Sequence, residues 1–124
     1  MNFEFDNNIP IYIQLVEHLK IYIISGKVSP GDRLPSVREL AMQTKVNPNT
    51  MQKALGELEN LGLVYTERTS GRFVTDDKAL IDKERKNLVK ESVKSSLETL
   101  INLGYTDEEI IKLIEEILKE GKYE

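Results

Sequence analysis

A chain of 124 residues has room for one modest core, or for one small domain with an appendage. Its 17 basic and 21 acidic side chains leave a formal net charge of -4, which argues against a general nucleic-acid binder. With no cysteine, disulfides and thiolate metal sites are excluded, and with neither a basic-then-apolar leader nor an apolar run of ~18 residues or more, a soluble cytoplasmic protein is expected.

The first helix is predicted over Ile9–Gly26, with Pro10 in its first turn and Gly26 just past its end. Tyr12, Leu15, Val16, Leu19, Tyr22 and Ile23 recur at three- and four-residue steps and form one apolar stripe. The single histidine, His18, lies within this helix as a packed or surface residue. Ser29-Pro30-Gly31-Asp32 is a turn. Arg33-Leu34 is a short extended piece, because Leu34 precedes Pro35 and is biased away from helix.

Two helix-start signals follow, eleven positions apart. Ser36 caps the second helix, Ser36–Thr44, and Glu39 is placed to reach back and close a capping box. Val37, Leu40 and Ala41 face inward, and Val46 plugs the turn. Asn47 is a good N-cap, and Pro48 stands at the first helical position, where its missing N–H costs nothing. The third helix, Asn47–Leu61, turns Met51, Ala54, Leu55, Leu58 and Leu61 to the core and ends at Gly62. Val64–Glu67 and Arg72–Thr75 read as two strands around Ser70-Gly71, a small hairpin. Helix, extended piece, helix, helix, hairpin is the order of a winged helix-turn-helix, which places side chains in the DNA major groove.

Charge supports this. Residues 27–72 carry seven basic side chains against five acidic ones, so this segment is net positive within an acidic chain. Asn47, Asn49, Thr50 and Gln52 stand at the start of the third helix, with Lys53 just beyond. Asn and Gln match the donor and acceptor of an adenine edge, and Thr offers a hydroxyl to phosphate and a methyl to thymine. The helix start also presents free N–H groups to a phosphate. Arg38 points to the same side, to hold a phosphate or a guanine, and Arg72 beside Gly71 is placed for the neighbouring minor groove. Asn47 reads as a cap that positions Asn49 and Thr50 more than as a base reader.

After Thr75 the composition shifts. A long helical pattern covers Asp76–Leu103, Gly104 breaks it, and Thr106-Asp107-Glu108-Glu109 is a second capping box opening a last helix that ends at Gly121. Residues 77–124 hold fifteen large aliphatic side chains and no candidate chemistry. Two helices touching only each other cannot bury that many, so packing against a second copy of the chain is expected; packing back on the first helix is the alternative. The segment is short for a pocket of the usual ~300 Å³ or more, so no dedicated small-molecule site is expected outside a dimer interface. No cofactor, metal or membrane partner is implied.

The motifs Gly31-Asp32-Arg33-Leu34-Pro35-Ser36-Val37-Arg38-Glu39-Leu40-Ala41, Val46-Asn47-Pro48-Asn49-Thr50, Leu58-Glu59-Asn60-Leu61-Gly62-Leu63-Val64 and Gly71-Arg72-Phe73-Val74 together resemble the GntR transcription regulators. The Asn-Pro-Asn-Thr version with a short tail looks most like the YtrA subfamily. The resemblance implies that Arg38, Asn47, Asn49, Thr50 and Gln52 meet DNA, together with Gly71 at the wing tip. Many relatives carry a basic residue where Pro48 or Gln52 stands, and a second glycine where Thr69 stands, so a weaker phosphate grip and a different wing loop are implied. The expected protein is mainly α with a small β-hairpin: a winged helix-turn-helix over residues 1–75 and a two-helix dimerisation hairpin over 76–124. Its expected function is that of a non-enzymatic regulator, a repressor that binds a palindromic operator in double-stranded DNA as a homodimer. A winged-helix module for protein partners, without DNA readout, is the alternative; such a module has no need of Arg38, Lys53 and Arg72 converging on one face.

Overall fold

The computed structural model describes residues 3–121. Their order is α1 (Ile11–Ile24), α2 (Val37–Thr44), α3 (Pro48–Asn60), β1 (Val64–Glu67), β2 (Gly71–Val74), α4 (Lys78–Asn102) and α5 (Asp107–Glu120). The chain is therefore mainly helical with one antiparallel hairpin, as the sequence pattern predicts. Contacts gather it into two units, Met1–Arg85 and Lys86–Glu124.

In the first unit α1 buries Leu15, Leu19, Ile23 and Ile24. It starts two residues later than the apolar pattern, because Pro10 is extended and serves as the N-cap. No side chain caps it. Instead Gln14 reaches back over the entering chain, accepting from the Asp6 amide and donating to the Asp6 and Ile9 carbonyls, each at 2.7 Å. Phe3 stacks on His18 with ring centroids 4.7 Å apart, so the histidine is a packing surface for the entering segment.

α1 and α2 both pack on α3, whose Met51, Ala54, Leu55 and Leu58 form the centre of the core with Leu40 and Ala41 of α2. Each large apolar side chain closed off in this way contributes ~1.5–3 kcal/mol. One expected member is displaced. Leu61 is 39% exposed, and Leu63 takes the buried place instead. The cause is the helix end. Gly62, at φ +81°, donates to the Glu59 carbonyl at 2.9 Å, and Leu63 donates to the Leu58 carbonyl at 3.0 Å. This is a Schellman motif, and its left-handed residue swings the chain so that Leu63, not Leu61, is buried.

β1 and β2 pair Val64 with Val74, Tyr65 with Phe73, Thr66 with Arg72 and Glu67 with Gly71. The extended piece expected at Arg33-Leu34 lies along the outer side of β2. The Leu34 amide donates to the Arg72 carbonyl at 2.9 Å and the Val74 amide to the Asp32 carbonyl at 2.8 Å.

The first unit extends beyond Thr75, where the composition shift sets the expected domain boundary. Asp77 accepts from the Leu80 amide and so starts α4; Ile81 is buried, and Arg85 donates from Nε to the Ile24 carbonyl at 2.8 Å. Lys20 pairs with Glu84 at 3.2 Å. These contacts tie the first two turns of α4 to the C-terminal half of α1. Composition marks where charge begins; burial marks where packing ends.

The second unit holds the rest of α4, the break at Gly104 and α5. Thr106 and Glu109 form the expected capping box: the Glu109 amide donates to the Thr106 hydroxyl at 3.2 Å and the Thr106 amide to the Glu109 carboxylate at 3.0 Å. Among the described residues of this unit, Ile110 is the one buried large apolar side chain. The last three residues of the expected tail segment lie outside the described residues.

Candidate nucleic-acid interface

The helix-turn-helix is fixed by its caps and by its turn. The Ser36 hydroxyl accepts from the Glu39 amide at 3.1 Å, so α2 starts as expected. The reciprocal arm of the box is different: the Glu39 carboxylate accepts from the Ser36 hydroxyl at 3.1 Å rather than from the Ser36 backbone. The chain then leaves α2 through Lys45, whose φ of +57° is left-handed, and the Val46 amide donates to the Ala41 carbonyl at 3.0 Å. That turn needs one residue in a strained region, which costs ~1–2 kcal/mol outside glycine and is held here by the packing on both sides.

α3 begins with Asn47 accepting from the Asn49 amide at 2.8 Å, with Pro48 at its first position. The Asn47 carbonyl oxygen is thereby engaged inside the chain. Asn49 and Gln52 stand exposed, Thr50 is half-buried, and Arg38 on α2 is exposed. Their opposite helix faces carry Leu40, Ala41, Met51 and Ala54, which are buried, so the polar row is held on a fixed platform. Lys53 turns elsewhere: its ammonium lies 4.5 Å from the centre of the Tyr12 ring, a cation–π contact that ties α3 to α1.

At the hairpin, Gly71 is exposed with φ +106°. A side chain there would begin 3.3 Å from the Arg33 Nε, so the Arg33 guanidinium lies against the Gly71 backbone. Arg72 is placed differently. Its side chain is 19% exposed, and its Nε is buried 3.8 Å from Glu59 Oε1, the atom that also accepts the Thr66 hydroxyl. Arg38, Asn49, Thr50 and Gln52 thus share the helix-turn-helix, while the guanidinium beside Gly71 comes from Arg33. In the sequence Arg33 shows only as a basic residue on a short extended piece; its place beside Gly71 follows from the pairing of that piece with β2.

Among the described residues no cluster of three or more His, Asp or Glu side chains could hold a metal ion, and no helix is long and apolar enough to cross a membrane. What the site offers is a polar, partly cationic surface of amides, hydroxyls and guanidinium groups, suited to base edges and phosphates rather than to bond making.

Comparison with known proteins agrees with this geometry. Residues 11–74 match the family described as bacterial regulatory proteins, gntR family. The HTH-type transcriptional regulator YhcF of Bacillus subtilis (strain 168) is 36% identical over 121 residues, covering 98% of this chain and all of that one. The HTH-type transcriptional repressor YtrA of the same organism is 37% identical over 107 residues, 86% of this chain and 80% of its own length. A GntR family transcriptional regulator from Listeria monocytogenes superposes with a TM-score of 0.84 at 37% identity over 90% of this chain and 98% of its own. The DNA-binding domain of AraR, crystallised with operator ORX1, superposes with a TM-score of 0.54 at 30% identity over 60% of this chain and 95% of its own.

Proposed function

The chain belongs to the GntR family, and on that premise we propose that it is a transcription repressor that binds a palindromic operator as a homodimer. The observation that carries this is the platform itself: Arg38, Asn49 and Gln52 project into solvent from two helices whose other faces are locked in a closed core. In the proposed complex Asn49 and Gln52 read adenine edges, Thr50 meets a phosphate or a thymine methyl, and Arg38 holds a guanine or a phosphate. Asn47 acts through its cap, by setting where Asn49 and Thr50 point. Lys53 adds charge near the groove while its ammonium stays on Tyr12. Gly71 lets the wing approach DNA closely. The AraR domain on its operator, at comparable identity, supports the same mode of docking.

Dimerisation is inferred from the second unit. Val89, Val93, Ile101, Leu103, Ile111, Ile114 and Leu118 are exposed there. Apolar side chains exposed in such number on α4, α5 and the turn between them mark an interaction surface. A second copy would cover it and would present two α3 helices to the two halves of a palindrome, about one helical turn apart.

The test is selection of bound duplexes from a randomised library by the full chain, followed by titration of the enriched duplex. A palindromic consensus is expected. Arg38→Ala should weaken binding by ~1–3 kcal/mol if it reads a guanine. Unchanged affinity for Arg38→Ala and Asn49→Ala combined removes the DNA-face assignment.

A further inference from the structure

We propose that Arg33, not Arg72, is the wing's phosphate-binding cation, and that Arg72 belongs to a buckle with Glu59 and Thr66 that fixes the wing to α3. This rests on the DNA-binding reading above and assigns roles within it. The two arginines are neighbours in space: Arg33 pairs with Phe73 in the strand next to Arg72, and the Leu34 amide bonds the Arg72 carbonyl at 2.9 Å. Their side chains meet opposite surroundings.

Arg72 already has its counter-charge. Its Nε is buried and faces Glu59 Oε1 at 3.8 Å, and the same oxygen accepts the hydroxyl of Thr66, which stands opposite Arg72 in the hairpin register. Glu59 lies in the last turn of α3. One carboxylate therefore joins the recognition helix to both strands of the wing. For Arg72 to reach DNA it would have to leave Glu59 and uncover a buried nitrogen, and an uncompensated carboxylate would remain between helix and hairpin.

Arg33 has the reverse character. It is exposed, and no carboxylate lies within ion-pair distance among the described residues. Its guanidinium is not loose, because Nε, Cζ and one terminal nitrogen pack within 4 Å of the place a Gly71 side chain would take. Gly71 thus answers two demands, a φ of +106° and room for the Arg33 guanidinium. A guanidinium held at the wing tip with its donors unpaired among the described residues, its backbone fixed by the Arg33–Phe73 bridge, is ready for the two oxygens of a DNA phosphate.

The experiment measures binding of the full chain to the duplex enriched in the selection above, and to a mixed-sequence duplex of equal length, across a KCl series. Each phosphate contact contributes about -0.9 to the slope of log affinity against log salt. Because a dimer carries two copies of Arg33, R33A is expected to flatten that slope by about 2 on both duplexes, leaving their affinity ratio within about twofold, and R33K to restore it. R72M, which keeps an apolar stem in the buried place, is expected to keep the wild-type slope and to lower the thermal midpoint. Glu59→Gln should lower that midpoint in the parent but add little in R72M, the signature of one shared interaction. A wild-type slope for R33A, a slope flattened by about 2 for R72M, or additive midpoint losses for Glu59→Gln and R72M would overturn the assignment. If R33A leaves the slope unchanged while Arg38→Ala still weakens binding, the wing assignment fails and the operator reading stands. If the full chain enriches no duplex, both fail.

Discussion

The two units of this chain carry similar proportions of aliphatic residues but use them differently. In the first, the stripes of α1, α2, α3 and the hairpin close on one another, and among the described residues all but one of the sixteen buried apolar side chains lie there. In the second, apolar side chains of α4 and α5 stay open: Val89 is 57% exposed and Leu118 64%. A closed unit can hold a polar row steady for reading a groove. An open one is, on the proposed reading, the face a second copy covers. The difference teaches that periodicity alone reports that a face is apolar, whereas the number of elements available to cover it decides whether it becomes core or interface.

The sharpest way to break this comparison is to charge the open face. Ile114→Asp combined with Leu118→Asp should remove two anchors from each side of the proposed interface, each worth about 2 kcal/mol or more, and raise the dimer dissociation constant at least about a thousandfold. Sedimentation at micromolar protein should then show a monomer with the parent's helical content. A double variant that still sediments as a dimer would show that α5 is not where the copies meet.

The same contrast can be sharpened inside the first unit. Leu63 is fully buried and Leu61 is not. Leu63→Ala should cost ~2–5 kcal/mol in urea unfolding, by lost burial and a residual cavity. Leu61→Ala should fall within about 0.5 kcal/mol, as for a surface position. Reversed magnitudes would return Leu61 to the core and discard the helix-end argument.

Those two leucines also show how far the sequence could be read. The order of elements, the caps at Ser36, Asn47 and Thr106 and most of the core face of α3 follow from local chemistry, because caps and 3.6-residue spacing act within one turn. Leu61 and Leu63 are separated by Gly62, whose left-handed turn resets the phase, and a helical wheel carried through it picks the wrong one. The candidate site divides along the same line. The placement of Asn49, Thr50, Gln52 and Arg38 at the helix starts is legible because they sit within one turn of a cap. The neighbours of Arg33 and Arg72 depend on which strand lies beside which, a non-local pairing, and the Glu59–Arg72 approach joins residues that no spacing rule connects. The packing of Ile81 and Arg85 against the first unit was hidden for the same reason.

Gly62→Ala tests that reset directly. At φ +81° an alanine is in the left-handed region, and its Cβ would lie 3.3 Å from a Leu80 methyl. A loss of ~1–2 kcal/mol is expected, read in urea unfolding, and a neutral result would mean the helix end tolerates a right-handed residue there.

The smallest effects compare the two caps. At Thr106 both arms are made: the Glu109 amide donates to the Thr106 hydroxyl, and the Thr106 amide donates to the Glu109 carboxylate. At Ser36 the amide arm is made, but the Glu39 carboxylate takes the serine hydroxyl instead of the backbone amide. Removing the carboxylate should therefore matter more in α5. Thr106→Ala should cost about 1 kcal/mol, as cap loss generally does. Glu109→Ala should give up a real fraction of that, because an amide at the helix start then loses its acceptor. Glu39→Ala should cost less than Glu109→Ala, since the Ser36 oxygen still accepts from the backbone at position 39 and no backbone donor is orphaned. Charge near the helix start is lost equally in both, so the helix-dipole contribution cancels in the comparison. Equal losses at 39 and 109 in urea unfolding would mean that the carboxylates act through the dipole alone and that the second arm of the box adds nothing in this chain.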